Sequence, residues 1–175
     1  LKVGELVYRD QKLRGINLDS TLRGGTLELR DASVANLEGA KVSAQGQIEG
    51  LDDAPSADLT INVDAPNTDR LLALVNVDTP TKIGPGKLNG TFRGDLKNLA
   101  VNATVQALGA SLKTTGTVAA LATPLGYDLT LDLRHADASA FIARLGGDSG
   151  AKGVKTGALA AVVKLRGDFD SSEID

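Results

Sequence analysis

Cysteine, methionine and tryptophan are absent from this 175-residue chain, and only one histidine, two tyrosines and three phenylalanines are present. Without cysteine there are no disulfides and no thiol chemistry, which suits a cytosol and a bacterial periplasm equally. One histidine and no thiols also exclude the ordinary zinc sites. Aromatic residues at 3% leave almost nothing on which bases or sugar rings could stack. No apolar run approaches the roughly 20 residues that a helix needs to cross a bilayer. No charged, apolar, then small-residue leader opens the chain. Lysine and arginine (19) are scattered singly among 22 acidic residues, giving a net charge of −3. That pattern has no basic stripe to neutralise a phosphate backbone and argues against a nucleic-acid partner. With Leu1 at the start and no methionine anywhere, the chain is expected to be a piece of a larger protein whose targeting or anchoring element lies elsewhere.

What the chain does have is a repeat. The 34 residues 42–75 reappear without a gap as 112–145, with identical pairs that include Gly46/Gly116, Leu51/Leu121, Asp58/Asp128, Leu59/Leu129 and Thr60/Thr130. Apolar positions answer one another in register: Val42 with Leu112, Ile48 with Val118, Ile61 with Leu131, Val63 with Leu133, Leu71 with Phe141 and Leu72 with Ile142. One supersecondary unit used twice, each copy unable to bury its apolar side alone, is the physical meaning of such a pattern. The whole of 1–175 reads as one β-rich repeat domain.

Within each copy the period is first two, then helical. Strands are expected around Leu6 to Tyr8, Leu13 to Leu18, Thr26–Arg30, Lys41–Ile48, Asp58–Val63, Lys87–Leu96, Leu99–Val105, Leu112–Ala120, Asp128–Leu133 and Ala158–Gly167. Glycine pairs such as Gly24-Gly25 mark tight hairpins. Asn67, Thr68 and Asp69 stand ahead of Leu71, Leu72, Leu74 and Val75, and Asp137 and Ser139 ahead of Phe141, Ile142 and Leu145. Those spacings predict two short helices, near 67–76 and 137–146, the second stopped at Gly146-Gly147. Interior glycines at 46, 90, 94 and 116 mark bulges, bends or close backbone approach. The fold class is therefore mainly β: a curved antiparallel repetitive sheet, forming an open groove or a sandwich, with aliphatic residues on one face and polar residues on the other.

Several motifs resemble chemistry and lack its other parts. Gly147-Asp148-Ser149-Gly150 spells the tetrad around a trypsin-like serine, but the lone His135 takes the place of Ala65 in the other copy and no further segment of that family is present. Asp168, Asp170, Glu173 and Asp175 lack the ligand order of a calcium loop. Gly84-Pro85-Gly86 and Gly153 to Gly157 have neither the spacing nor the strand–loop–helix setting of a phosphate loop. Asp58 and Asp128 occupy equal places in the two copies, where a strand-edge or turn-capping role is expected ahead of acid–base work. No catalytic constellation emerges, so the chain is not expected to be an enzyme, and no metal or other cofactor is expected.

The apolar positions are the remaining candidates: Leu27, Leu29, Val42, Ile48, Leu59, Ile61, Val63, Leu88, Phe92, Val118, Leu129, Leu131 and Leu133. Periodicity alone points first to the core of a closed sandwich, and the same residues can also line an open trough whose natural occupant is an acyl chain.

The succession Gly4-Glu-Leu-Val-Tyr8, Leu13-Arg-Gly-Ile-Asn-Leu18, Leu22 to Leu29, Leu37 to Val42 and Gly46-Gln-Ile-Glu-Gly50, with the short helix at Asn67 to Val75, resembles the C-terminal repeat region of the AsmA family of bacterial envelope proteins. The resemblance implies a periplasmic domain of a protein anchored in the inner membrane by a segment outside this piece. It also implies a hydrophobic β-groove that carries phospholipid, with a part in outer-membrane assembly and envelope homeostasis. Its partners would be phospholipid, other envelope proteins or further repeats of the same chain. Small residues at Ala103, Ala107, Ala120 and Ala161 depart from a uniformly bulky trough. The alternative expectation is a structural or protein-interaction β module that binds no lipid and uses its edge strands.

Overall fold

The computed structural model describes residues 1–8, 11–74, 77, 79, 81–95, 97–119, 126–146, 157–168 and 172–174. The strands are β1 (Lys2–Tyr8), β2 (Gln11–Arg23), β3 (Thr26–Leu37), β4 (Ala40–Glu49) and β5 (Ser56–Ala65). They are followed by β6 (Gly86–Asp95), β7 (Leu99–Ala107), β8 (Ala110–Ala119), β9 (Gly126–His135), β10 (Leu159–Asp168) and β11 (Ser172–Ile174). Helix α1 (Thr68–Leu74) joins β5 to β6, and α2 (Ala138–Arg144) joins β9 to β10.

All eleven strands form one antiparallel sheet in simple chain order, β1 to β11. Each inner strand packs against its two sequence neighbours, and among the described residues the sheet neither folds back on itself nor joins its two outer edges. Among the described residues there is no second layer, so the sandwich alternative gives way to an open sheet. Bends enter locally, at breaks of register between Asp19 and Ser20 in β2, and in β3 between Leu29 and Ala32 and between Val34 and Leu37. Each extra residue bends its strand and restores the side-chain parity.

The repeat is also a repeat of structure. β4, β5 and α1 begin at residues 40, 56 and 68, and β8, β9 and α2 at 110, 126 and 138, a constant displacement of 70. The hairpins that precede them match too. Glu38-Gly39 and Leu108-Gly109 all have positive φ (51°, 90°, 56° and 79°), the left-handed pair that a two-residue turn needs to follow the twist of its strands. β6 and β10 begin at 86 and 159, so the longer second loop shifts the displacement to 73.

Asn67 Oδ1 accepts from Arg70 N at 3.4 Å at the start of α1. Its counterpart Asp137 caps α2, accepting from Ala140 N at 3.1 Å and from Ser139 Oγ at 2.7 Å. In the first copy Asp69 closes the return loop, its two carboxylate oxygens accepting from Ile83 N (2.8 Å) and Gly84 N (3.0 Å). Those bonds, above all the one from Ile83, hold its carboxyl below the usual aspartate range. Both helices also donate their first N–H to a glycine of positive φ: Thr68 N to Gly84 O at 2.7 Å, and Ala138 N to Gly157 O at 2.9 Å.

Candidate functional site: an open apolar face

Residues directly opposite one another in an antiparallel sheet point to the same side, so the register assigns every side chain to a face. One row runs Ile16, Val34, Val42, Val63, Leu88, Val105, Leu112, Leu133, Ala161 across nine strands. The next runs Leu18, Ala32, Ala44, Ile61, Gly90, Ala103, Thr114, Leu131, Val163. Beyond it lie Leu29, Gly46, Leu59, Phe92, Val101, Gly116, Leu129, Leu165, and then Leu27, Ile48, Ala57, Gly94, Leu99, Val118, Tyr127. All thirteen residues expected from the sequence to line a trough fall in these rows. The structure also adds members that the sequence expectation left out, among them Ile16, Val34, Val101, Val105 and Leu112.

The opposite face is polar and laced with cross-strand pairs. Asn62 receives a hydrogen bond from Asn89, Lys87 lies 3.3 Å from Asp64, and Arg30 pairs with Asp19. The hydrogen bond from Arg30 holds the Asp19 carboxyl low, and that from Arg134 does the same for Asp132. Asp58 and Asp128 sit on this face too. Asp58 accepts from Arg93 Nε at 2.8 Å, and Asp128 from Arg166 at 3.0 and 2.6 Å. They are cross-strand ion pairs between β5 and β6 and between β9 and β10, which corrects the edge or capping role expected of them. A shallow depression of about 520 Å³ lies on the polar side, around Ser43, Asn62, Asp64, Lys87, Asn89 and Gln106.

The apolar face is mostly uncovered. The only buried apolar residues among those described are Ala40, Ala65, Ala103 and Ala110, and the thirteen candidates are all half-buried. Three of the four buried alanines stand at one end of the sheet: Ala40 opposite Leu37, Ala65 opposite Gly86, and Ala110 between Ala107 and His135. Helices α1 and α2 fold over that end. Thr68 lies above Gly86, where a Cβ would collide with its Oγ1, and the Phe141 ring packs on His135 at 5.3 Å between centroids. The fourth, Ala103, faces Gly90, whose missing side chain makes room for the Phe92 ring. The residual surface has two dimensions. Nine strands about 4.8 Å apart and four rows along strands rising about 3.3 Å per residue give an apolar face on the order of 1,000 Å². Single chains that stand alone in water seldom leave so large a patch open.

A second concavity, about 750 Å³, lies where the sheet meets the helices, lined by Lys87, Gln106, Arg134, His135, Arg144 and Leu159 among others. No sequence motif marks it, because its residues come from six strands, one helix and the loops between them and meet only through the sheet register.

Among the described residues no cluster of histidine, aspartate and glutamate could hold a metal ion, and no helix is long and apolar enough to cross a membrane. The Gly147-Asp148-Ser149-Gly150 tetrad and Ala120 lie outside the described residues. No family model, no curated protein and no solved structure matches this chain.

Proposed function

We propose that the apolar face is a carrier surface for the acyl chains of phospholipids, and that the chain is an AsmA-like periplasmic segment serving lipid transport and outer-membrane assembly in the bacterial envelope. One observation carries this reading: four consecutive rows of aliphatic side chains on one side of a single-layer sheet, with helices over only one end. A closed core of this size would leave its leucines fully buried, whereas none of the described leucines is. An acyl chain matches the surface in length as well as in chemistry, since half of a 30 Å hydrocarbon core, about 15 Å, fits within the rows. Transfer of such chains onto the face is driven by roughly 25 cal/mol per Å² of apolar surface removed from water. Headgroups stay at the rim, and the polar ladder keeps the back of the sheet in water. The surface carries and does not catalyse, and each row residue contributes only a small share.

The test is native mass spectrometry of protein produced in a bacterial periplasm, followed by lipid extraction. Wild type is expected to carry phospholipid, and the double variant Ile61→Asp/Leu131→Asp, folded by circular dichroism, to lose it. A wild type free of lipid that also fails to take up labelled phospholipid would reject the carrier reading in favour of a structural β module.

A further inference from the structure

The four apolar rows hold no charged side chain, and Thr114 and Tyr127 are their only polar members. The acidic excess of the chain, a net charge of −3, therefore lies away from them. In a twofold contact each surface meets a copy of itself, so an uncharged face escapes the like-charge repulsion that a charged one would meet on self-pairing. The extent of the face fits as well. A stable interface takes about 800 Å² from each partner, and these rows offer on the order of 1,000 Å². The helices decide how a second layer would lie. α1 and α2 cover the apolar face at the end marked by Gly86 and His135, with Thr68 above Gly86 and Phe141 on His135. A helix is about 10 Å thick, and stacked sheets lie about 10 Å apart. The two helices thus occupy the layer that a facing sheet would fill, and they form a shelf along one side of the open rows. Ile142 and Leu145, 42% and 50% exposed, keep apolar surface on that shelf.

We propose that two copies of this chain pack apolar face to apolar face when the face carries no lipid, closing the rows as the core of a two-layer sandwich. The twofold axis runs across the strands, so that the helices of each copy flank the helix-free end of the other. An axis along the strands would bring all four helices to one end, where both pairs claim the same layer. Ile61, Leu131 and Val163, half-buried in the single copy, become core residues of the pair. The proposal needs only the open face and stands apart from the acyl-chain reading. Where both hold, lipid and a second copy compete for one surface, and each displaces the other.

Sedimentation equilibrium of the delipidated protein tests it, with two variants at neighbouring residues of β8. Thr114 stands in an apolar row between Ala103 and Leu131, and Thr115 on the polar face between Asn102 and Thr130. Thr114→Arg puts a charge into the contact without removing an apolar side chain, and Thr115→Arg puts the same charge on the back of the sheet. Circular dichroism checks that both fold. Wild type is expected to be dimeric at micromolar concentration. The dimer dissociation constant should rise about tenfold or more in Thr114→Arg, because a charge is buried there without a partner, and should change little in Thr115→Arg. A wild type that stays monomeric throughout the micromolar range, or a dimer equally strong in both variants, overturns the proposal. Thr114→Cys and Thr115→Cys, made in the cysteine-free chain, give a second measurement that does not depend on the arginine variants. The thiol introduced at 114 should react with a maleimide more slowly as protein concentration rises, and the one at 115 at a constant rate; the reverse pattern, or no protection at either, also overturns it. Dihexanoyl phosphatidylcholine below its micellar concentration should dissociate the dimer. A dimer indifferent to that lipid counts against the carrier reading alone and leaves self-association standing.

Discussion

Thr68 and Gly86 fit one another where α1 crosses the end of the sheet, and the second copy of the repeat fills the same place with the sizes exchanged. A Cβ on Gly86 would strike Thr68 Oγ1. At the corresponding positions β10 begins with Leu159 and α2 with Ala138. A larger residue under the helix therefore goes with a smaller one on it. The Thr68 hydroxyl is buried without a hydrogen-bond partner.

Thr68→Ala should then be neutral or stabilising by up to about 1 kcal/mol, because it removes an unsatisfied polar group. Gly86→Ala alone should destabilise by about 1–3 kcal/mol through overpacking, and much of that loss should disappear in the double variant. Urea denaturation of the four proteins measures the coupling. Additive effects would mean that the two residues do not share this contact.

Gly46 and Gly116 have φ of 134° and 146° in the middle of β4 and β8, and a Cβ on either would overlap the carbonyl oxygen of Asp58 or Asp128. Alanine at either position is expected to cost on the order of 3 kcal/mol, the upper end of what a disfavoured backbone conformation stores. Equal losses at the two sites, read from denaturant midpoints, would follow from the repeat. A mild effect at one of them would show that the local strand can straighten.

Glu38 carries a left-handed backbone (φ 51°) next to Gly39 in the β3–β4 hairpin. Glu38→Asn makes the Asn-Gly pair that such turns favour, and a gain of about 0.5–1 kcal/mol is expected. Thermal melting in the same buffer reads it directly, and a lower melting temperature would contradict the turn geometry.

The carboxylate of Asp69 titrates below the ordinary aspartate value of 3.8 because Ile83 N–H and Gly84 N–H donate to its charged form. A carboxyl held low contributes stability that is present above 3.8 and lost as the pH falls through its folded value. Asp19 and Asp132, held low by arginines, act in the same direction. Stability should therefore decline on acidification below that value, and Asp69→Asn should show a shallower decline together with a lower plateau at neutral pH. Identical slopes in denaturation curves collected across this range would remove Asp69 from the account.

The Asp58–Arg93 pair lies in water, with side-chain exposures of 48% and 67%. Solvent screening leaves such a pair only a small contribution to stability. Reversing both charges, Asp58→Arg with Arg93→Asp, should restore most of what either single reversal loses, as seen in denaturant midpoints. Its stabilising effect should also fade with added salt.

Most of the architecture is legible in the amino-acid order because a period of two and a helical spacing are local properties. Residues 42–75 and 112–145 display both, and the short helices begin directly after the expected capping residues Asn67 and Asp137. Other positions are hidden by geometry that only the paired strand supplies. Leu29, Ala32, Val34 and Leu37 break the alternation twice, and only the bulges in β3 return them to one side. Asp58 has no local sign of its partner, since Arg93 lies 35 residues away and meets it through the β5–β6 register. The concavity at the helix end is less legible still, because its lining comes from six strands and α2 and is gathered only by the sheet register.

Because each strand rests on its two neighbours alone, the sheet behaves as a linear chain of coupled units. Removing an outer strand subtracts one interface, whereas disrupting β6, near the middle, severs the sheet into halves with no other link between them. Fraying therefore proceeds inward from β1 and β11. Amide protection should rise from both edges towards β5 and β6, so that the same lateral order that spreads out the apolar surface also grades its rigidity.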